Sequence, residues 1–347
     1  REDLKTFYSG LKSMDPHLQL LFITGVSKFS RVSLFSELNN LDDLTMDERA
    51  ATLTGYTQAE LAQHFGPRFE PLQTQFALPH ADLMARIRHW YNGYSWDGRQ
   101  FVYNPFSILS LFQKKQFQNF WFTTGTPSFL VKLLKQRMEY QIGQREVGQA
   151  ALEAFELDHI DTTTLLFQTG YLTVKEVNDF GLYVLDYPNQ EVKDSLLQHL
   201  VGSFRHASPT ATTPLVLKVR QAFLDQDLAL VMDILNSLFK SIPSHLFIAQ
   251  REAYYHSLVY LLFEYLGIFL EAEVHTSDGR IDAVVQTDTH VYVLEFKLDA
   301  SAEEALAQIR RKGYADRYRG RGKRLVGVGV SFSSEQKAVA EWVVVEL

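Results

Sequence analysis

The stretch "IDAVVQTDTHVYVLEFK", Ile281 to Lys297, reads as two strands joined by a short loop, and it carries Asp282, Glu295 and Lys297 in strands that are otherwise apolar. Side chains alternate faces along a strand, so Glu295 and Lys297 share one face while Leu294 and Phe296 point into the opposite, apolar layer. Asp282 opens the earlier strand just after the turn "TSDGR", and antiparallel pairing would bring it beside Glu295. Two carboxylates and an ammonium then converge. Neighbouring carboxylates repel unless a cation lies between them, and a divalent, oxygen-loving ion such as Mg²⁺ removes that cost. Such a group suits phosphodiester hydrolysis, with Lys297 orienting water or meeting developing charge. Spacing alone leaves a second reading open, in which all three are ordinary charges on a half-exposed sheet.

Working outward, periodicity predicts a helix over Gln250–Leu266, strands near Ile268–Val274, Ile281–Gln286 and Val291–Lys297, a helix over Ala302–Tyr318 and a strand over Leu325–Phe332. The order is αβββαβ. Ser301 and Glu304 form a capping-box signature that starts the second helix just after Lys297. From Gln308 to Arg324 the chain carries eight basic residues and one acid, a local +7 against a whole-chain charge of −7. A basic cluster beside such a site is what binding a phosphate backbone requires, although runs of this kind are also common on solvated faces.

Over the rest of the 347 residues the composition is that of a globular protein, 46% hydrophobic and 22% charged, and the length predicts two or three domains. No apolar run reaches the roughly 18 residues of a membrane span, and the absence of cysteine removes disulfides and thiolate metal sites. Both features fit a cytoplasmic protein with no membrane partner. "LQLLFITGV", Leu18 to Val26, reads as a buried parallel-type strand. Helices are expected at Thr57–Phe65, Pro79–Tyr91, Glu191–Phe204, Val216–Leu224 and Leu228–Phe239, with a loop or short hairpin in "YNGYSWDGRQFVYNP". A short helix and two strands turning at Asn178–Gly181 look like a winged-helix hairpin, and "ASPTATTP", Ala207 to Pro214, reads as a linker. The aromatic clusters at Trp90–Trp96 and Phe117–Phe122 are expected in core and interdomain packing.

The block from "REAYYHSLVYLLFEYLG" through "GRIDAVV", "VYVLEFK" and "ALAQIRRKGYADRY" to "LVGVGVSF" resembles the PD-(D/E)XK nuclease superfamily, in the branch attached to AAA-ATPase-like domains. By that resemblance Asp282, Glu295 and Lys297 are the motif's acid, acid and lysine, and Glu252 is the additional carboxylate of the first helix. Asp282, Glu295, Glu252 and the backbone carbonyl of Phe296 would hold Mg²⁺ or Mn²⁺. Gln308 and Tyr314 match the polar residues of the second-helix motif, and Arg310, Arg311, Lys312 and Arg317 would contact nucleic acid, DNA in the first instance. In related exonucleases the Tyr follows the Gln by one helical turn, a position held here by Lys312. The isolated histidines His256 and His275 are left out of the metal set.

"LFITGVSKFSRVSLFSELNNLDDLT", "WYNGYSWDG", "YNPFSIL" and "LLFQTGYLT" are similar to the AAA-ATPase-like domain found upstream of such nucleases. The phosphate-binding string G-x-x-x-x-G-K-[ST] is missing, since Gly322 and Lys323 are followed by Arg324. In the family that loop precedes the point at which this chain begins, so the chain reads as the later part of a longer protein, with ATP bound only by the full-length form. The expected fold is α/β: a partial AAA-like P-loop-type region over 1–206 with a helical, winged-helix-like lid at 160–204, linker and helices over 207–245, and an αβββαβ restriction-endonuclease-like domain with a mixed sheet over 246–347. The expected function is a metal-dependent nuclease coupled to an ATPase module that allows oligomers. The alternative is a catalytically silent, nucleotide-regulated adaptor that binds nucleic acid or protein.

Overall fold

The computed structural model describes residues 6–7, 10–11, 13–25, 41–124, 128–153, 161–205, 208–240, 251–277, 280–313, 315–320 and 322–347; for 251–256, 273–277 and 280–282 it describes the backbone. In chain order the helices are α1 (Gln58–Phe76), α2 (His80–Tyr91), α3 (Pro105–Lys114), α4 (Ser128–Gln136), α5 (Ala150–Glu153), α6 (Thr162–Gln168), α7 (Gln190–Phe204), α8 (Thr212–Leu224), α9 (Leu228–Lys240), α10 (Arg251–Leu266) and α11 (Ala302–Lys312). The strands are β1 (Asn92–Tyr94), β2 (Val102–Tyr103), β3 (Arg145–Val147), β4 (Thr173–Val177), β5 (Tyr183–Asp186), β6 (Glu271–Ser277), β7 (Arg280–Gln286), β8 (His290–Leu298), β9 (Arg324–Ser333) and β10 (Ala338–Glu346). They divide into two compact units, one of residues 1–126 and 142–193, the other of 127–141 and 194–347.

In the first unit α1 starts at Thr57, whose side chain accepts from the Glu60 amide while Glu60 accepts from the Thr57 amide, a complete capping box. The sequence reading ended this helix at Phe65, before Pro67. The helix instead runs on through Pro67 and Pro71, because Phe69 and Leu72 are buried in the core and Phe65 stacks on Phe112 at 5.1 Å. Tertiary packing here outweighs the proline penalty. Tyr91, Tyr103, Phe112 and Phe120 complete that core, so the aromatic clusters do pack internally. The "YNGY" segment supplies β1, which pairs antiparallel with β2. β4 and β5 turn through Asn178, whose side chain accepts from the amides of Phe180 and Leu182, and through Gly181 at φ 73°. β3 adds an outer strand to that hairpin.

One expectation fails. Residues 18–25 form no strand, and Leu20 and Phe22 are 82% and 63% exposed. A buried parallel strand needs neighbours on both edges, and no described strand pairs with this segment. The Pro/Thr-rich stretch also departs from a plain linker: Pro209–Ala211 is a 3₁₀ turn that enters α8, where Thr212 is fully buried.

The second unit is built on a five-stranded mixed sheet in the order β10-β9-β8-β7-β6, with β8 and β9 parallel and the remaining pairs antiparallel. On one face Tyr292, Phe296 and Phe332 meet Phe223 of α8, Phe239 of α9 and Phe263 of α10. On the other, Val284, Val291, Val293 and Leu325 pack against Leu306 and Ile309 of α11 and against Ala315 and Tyr318 beyond it. Helices therefore cover both faces, which explains the apolar runs of β8 and β9. The expected αβββαβ order is present and is extended by β10, antiparallel to β9 and tied to α9 by the Val339 amide donating to Asn236 Oδ1 at 2.6 Å. No described helix is long and apolar enough to cross a membrane.

Candidate functional site

Glu295 and Lys297 of the opening stretch lie on the face of the sheet that α11 covers, and the backbone of Asp282 lies beside them. In the β7–β8 ladder Asp282 lies directly opposite Glu295, as the antiparallel pairing requires, and His275 of β6 is the partner of Asp282 on the other side. The Glu295 side chain is 0% exposed and its Oε1 lies 3.2 Å from Lys297 Nζ, with the Lys297 side chain 16% exposed. Lys297 also donates to Gln308 Oε1 at 2.6 Å. Gln308 is itself buried, and its Nε2 has no hydrogen-bond partner among the described residues. The half-exposed sheet of ordinary charges is thereby excluded for Glu295 and Lys297. Glu295 is a fully buried carboxylate, which costs several kcal/mol of desolvation unless it is paired.

Backbone geometry explains how Gln308 comes within reach. Glu295 is in register with Gly329 of β9, and Lys297 with Ser331. A Cβ at Gly329 would lie 2.1 Å from the carbonyl oxygen of Ala302, and one at Gly327 would lie 3.1 Å from a Leu306 methyl. Two glycines at a spacing of two thus clear a shelf on one face of β9, and α11 settles onto the backbone there. The Ser301 side chain accepts from the Glu304 amide, the Ala302 amide donates to Glu341 at 2.7 Å, and the helix start is fixed. Gln308 follows from that start. The glycine pair positions α11 and is not among the expected site residues, although "GVGVS" alternating within an apolar strand is a readable signal.

The remaining candidates fall in different places. Glu252 lies in the first turns of α10, and the described geometry there, as at Asp282, is that of the backbone. Phe296 stacks on Phe332 with ring centroids 5.8 Å apart, and its backbone lies between Glu295 and Lys297 in the ladder. Helix α11 ends at Lys312 with Gly313 in the left-handed cap conformation, φ 63°, and Tyr314 lies outside the described residues. Of the basic residues, Arg311 and Lys312 are three and four positions after Gln308 and so follow it on one helix face. Arg310 is about 200° round from Gln308, on the exposed side. Arg317 lies over the Tyr318 ring at 4.8 Å, and Arg319 pairs with Asp316 at 2.9 Å.

A protein of Azotobacter chroococcum mcd 1 named "Uncharacterized protein in vnfD 5'region" is 40% identical over 358 residues, an alignment that takes in 100% of this chain and 67% of the relative. The chain belongs to that protein's family. A family model described as "PD-(D/E)XK nuclease superfamily" matches residues 250–342, so the α10-to-β10 part of the second unit is a PD-(D/E)XK domain. That superfamily points to a nuclease-type function. No solved structure matches.

Proposed function

We propose that the PD-(D/E)XK domain hydrolyses phosphodiester bonds of nucleic acid, DNA in the first instance, with Mg²⁺ or Mn²⁺. The observation that carries this reading is the fully buried Glu295 carboxylate, 3.2 Å from Lys297 and in register with Asp282. Asp282, Glu295, Glu252 and the Phe296 carbonyl make an all-oxygen donor set, which fits a hard divalent ion and disfavours a soft one. When bound, such an ion supplies a water of lowered pKa and neutralises charge on the phosphate. Lys297, held by Glu295 on one side and Gln308 on the other, presents an ammonium in a fixed place, where it orients water or meets negative charge. Arg311 and Lys312, on the turn after Gln308, engage the backbone without reading sequence, with Arg310 and Arg317 farther out. Tyr314 stays within this proposal as a substrate contact beyond the helix cap.

The direct test is cleavage of linear, circular and single-stranded DNA by the purified chain, with Mg²⁺ or with EDTA, beside Lys297→Ala and Glu295→Gln. Metal-dependent cleavage that falls by about a hundredfold or more in both variants is expected. Equal activity in all three proteins, or none in any, overturns the catalytic assignment. Salt-dependent binding without cleavage, unchanged in Glu295→Gln, would make the domain an adaptor.

The AAA-ATPase-like assignment of residues 1–206 belongs to the same proposal, and the α6–β4–β5–α7 order, a helix, a two-stranded turn and a helix, supports it. ATP binding, oligomer formation and coupling to the nuclease are then properties of a longer chain that carries the phosphate-binding loop. Nucleotide titration of such a chain, beside the 347 residues alone, tests this directly.

A further inference from the structure

The basic tract that follows Gln308 does not gather at the Glu295–Lys297 pair. β8 and β9 are parallel, with His290 in register with Arg324 and Glu295 with Gly329. Arg324 therefore lies five residues before the Glu295 level, about 17 Å along the strand at ~3.3 Å per residue. α11 runs back over that distance. Ala302 meets Gly329, Leu306 meets Gly327, and Lys312 is one turn beyond Gln308, about 6 Å farther along the axis. Arg311 and Lys312 thus lie part-way, and Lys323 and Arg324 lie at the N-terminal end of β9.

This far end is fixed in place. Ala315 and Tyr318 are buried in the core beneath α11, Arg317 lies over the Tyr318 ring at 4.8 Å, and the Arg324 amide donates to the Thr289 carbonyl at 2.9 Å. Gly320 and Gly322 have φ of 80° and 72°, and no atom lies within 4 Å of either Cβ position, so each leaves its backbone open to approach. Asp316 pairs with Arg319 at 2.9 Å, whereas among the described residues no carboxylate pairs with Arg311, Lys323 or Arg324. Arg324 is exposed and Lys323 half-buried. Cations held without a protein partner are suited to displace the counterions of a phosphate backbone.

We infer that Lys323 and Arg324 form a second anchor for the phosphate backbone, about 17 Å from the Glu295–Lys297 end, and that the substrate engaged by both is a duplex. The inference rests on the proposed nuclease site. That separation is about five base-pair steps at 3.4 Å each. A duplex, with a persistence length of about 150 base pairs, holds two phosphates that far apart without being ordered first. A single strand must be straightened to reach both places, and the lost freedom offsets part of the gain. Two places joined by one stiff ligand hold it more tightly than either does alone.

The test is the anisotropy of labelled DNA bound to the whole 347-residue chain in EDTA, over a range of salt concentrations. The probes are a hairpin of about four base pairs, too short at about 14 Å to bridge the two places, a duplex of about 20 base pairs, and a single strand of about 20 nucleotides. The log–log salt slope should be steeper for the long duplex than for the hairpin by about two, at about 0.9 per neutralised phosphate. Lys323→Ala with Arg324→Ala should remove that difference at an unchanged melting temperature. Lys218→Ala with Lys240→Ala, which removes two exposed cations elsewhere in the second unit, should leave it. Equal slopes for hairpin and duplex, or a difference that survives Lys323→Ala with Arg324→Ala, overturns the inference. So does an equal loss in the Lys218 and Lys240 variant, or a single strand whose slope falls as much as that of the duplex. Cleavage does not enter the readout. Protein that cuts DNA without the length-dependent slope keeps the nuclease and loses the anchor, and protein that shows the slope without ever cutting keeps the anchor and loses the nuclease.

Discussion

Removing Lys297 alone should destabilise the PD-(D/E)XK domain far more than removing the whole polar cluster around it. Lys297→Ala takes the ammonium 3.2 Å from a carboxylate that is 0% exposed, and breaking a buried pair by deleting one partner costs about 3–5 kcal/mol. Because the Lys297 side chain keeps 16% exposure, the low end of that range applies, about 3 kcal/mol, or roughly 6–12 °C if the whole second unit, residues 127–141 and 194–347, melts together. Glu295→Met with Lys297→Met removes both charges but strands Gln308, whose Oε1 loses its 2.6 Å donor while Nε2 already lacks a partner among the described residues. That leaves a deficit of about 1–3 kcal/mol. Adding Gln308→Leu removes the stranded amide, and the triple variant should match or exceed the wild type, as hydrophobic replacements of buried pairs often do. The expected order is triple at or above wild type, then the double, then Lys297→Ala. Hydrogen exchange of β8 amides in urea and EDTA measures it within this domain, apart from the other unit. A triple variant more than about 2 kcal/mol less stable than wild type would refute the reasoning. The cluster would then be a structural staple, and its charge would need no catalytic explanation. A cluster that costs stability when intact is what a site retained for its chemistry looks like.

Gly329→Ala sets a Cβ 2.1 Å from a backbone oxygen, so α11 must shift; a loss of about 1–3 kcal/mol and of nuclease activity is expected. Gly327→Ala meets only flexible leucine side chains at 3.1 Å and should be milder in both assays. Burial raises the Glu191 carboxyl above its ordinary 4.5 against the opposing pull of three hydrogen bonds. The native state therefore holds that proton to higher pH than the unfolded chain, its contribution is fully present below 4.5, and it is lost as pH rises through the folded value. Glu191→Gln should flatten that part of the stability-versus-pH curve of the first unit in urea titrations. Arg311→Ala and Lys312→Ala should each reduce the salt dependence of DNA binding by about one unit of log–log slope, with a smaller change for Arg310→Ala.

What the sequence made legible follows what periodicity encodes. The frame around the site was readable because β7, β8 and β9 are short apolar runs between turn formers, and because Ser301 fixes the start of α11 to the residue. The pairing of Asp282 with Glu295 followed from a short connection, since two neighbouring antiparallel strands have few registers open to them. Burial of Glu295 was not readable. It depends on β9, some thirty residues on, supplying Gly329 rather than a side chain beside it, and on α11 closing over that gap. The failure at Leu18–Val26 has the same origin with the opposite sign. An apolar run specifies a strand only if partners exist at both edges, and no local pattern reports whether they do. β10 was passed over although "AVAEWVVVE" is rich in β-branched residues, because an edge strand with Trp342 and Val344 partly exposed lacks the clean burial that marks β8. A cavity in the first unit, beside Tyr94, is the extreme case. Its walls come from β1, α3, the Trp121 segment and α6, and a buried glutamate seventy residues farther on joins two of them. The aromatic residues alone pointed to core packing, and for Tyr91, Phe117 and Phe120 that is where they are. Trp96 and Trp121 part from them and line the cavity instead.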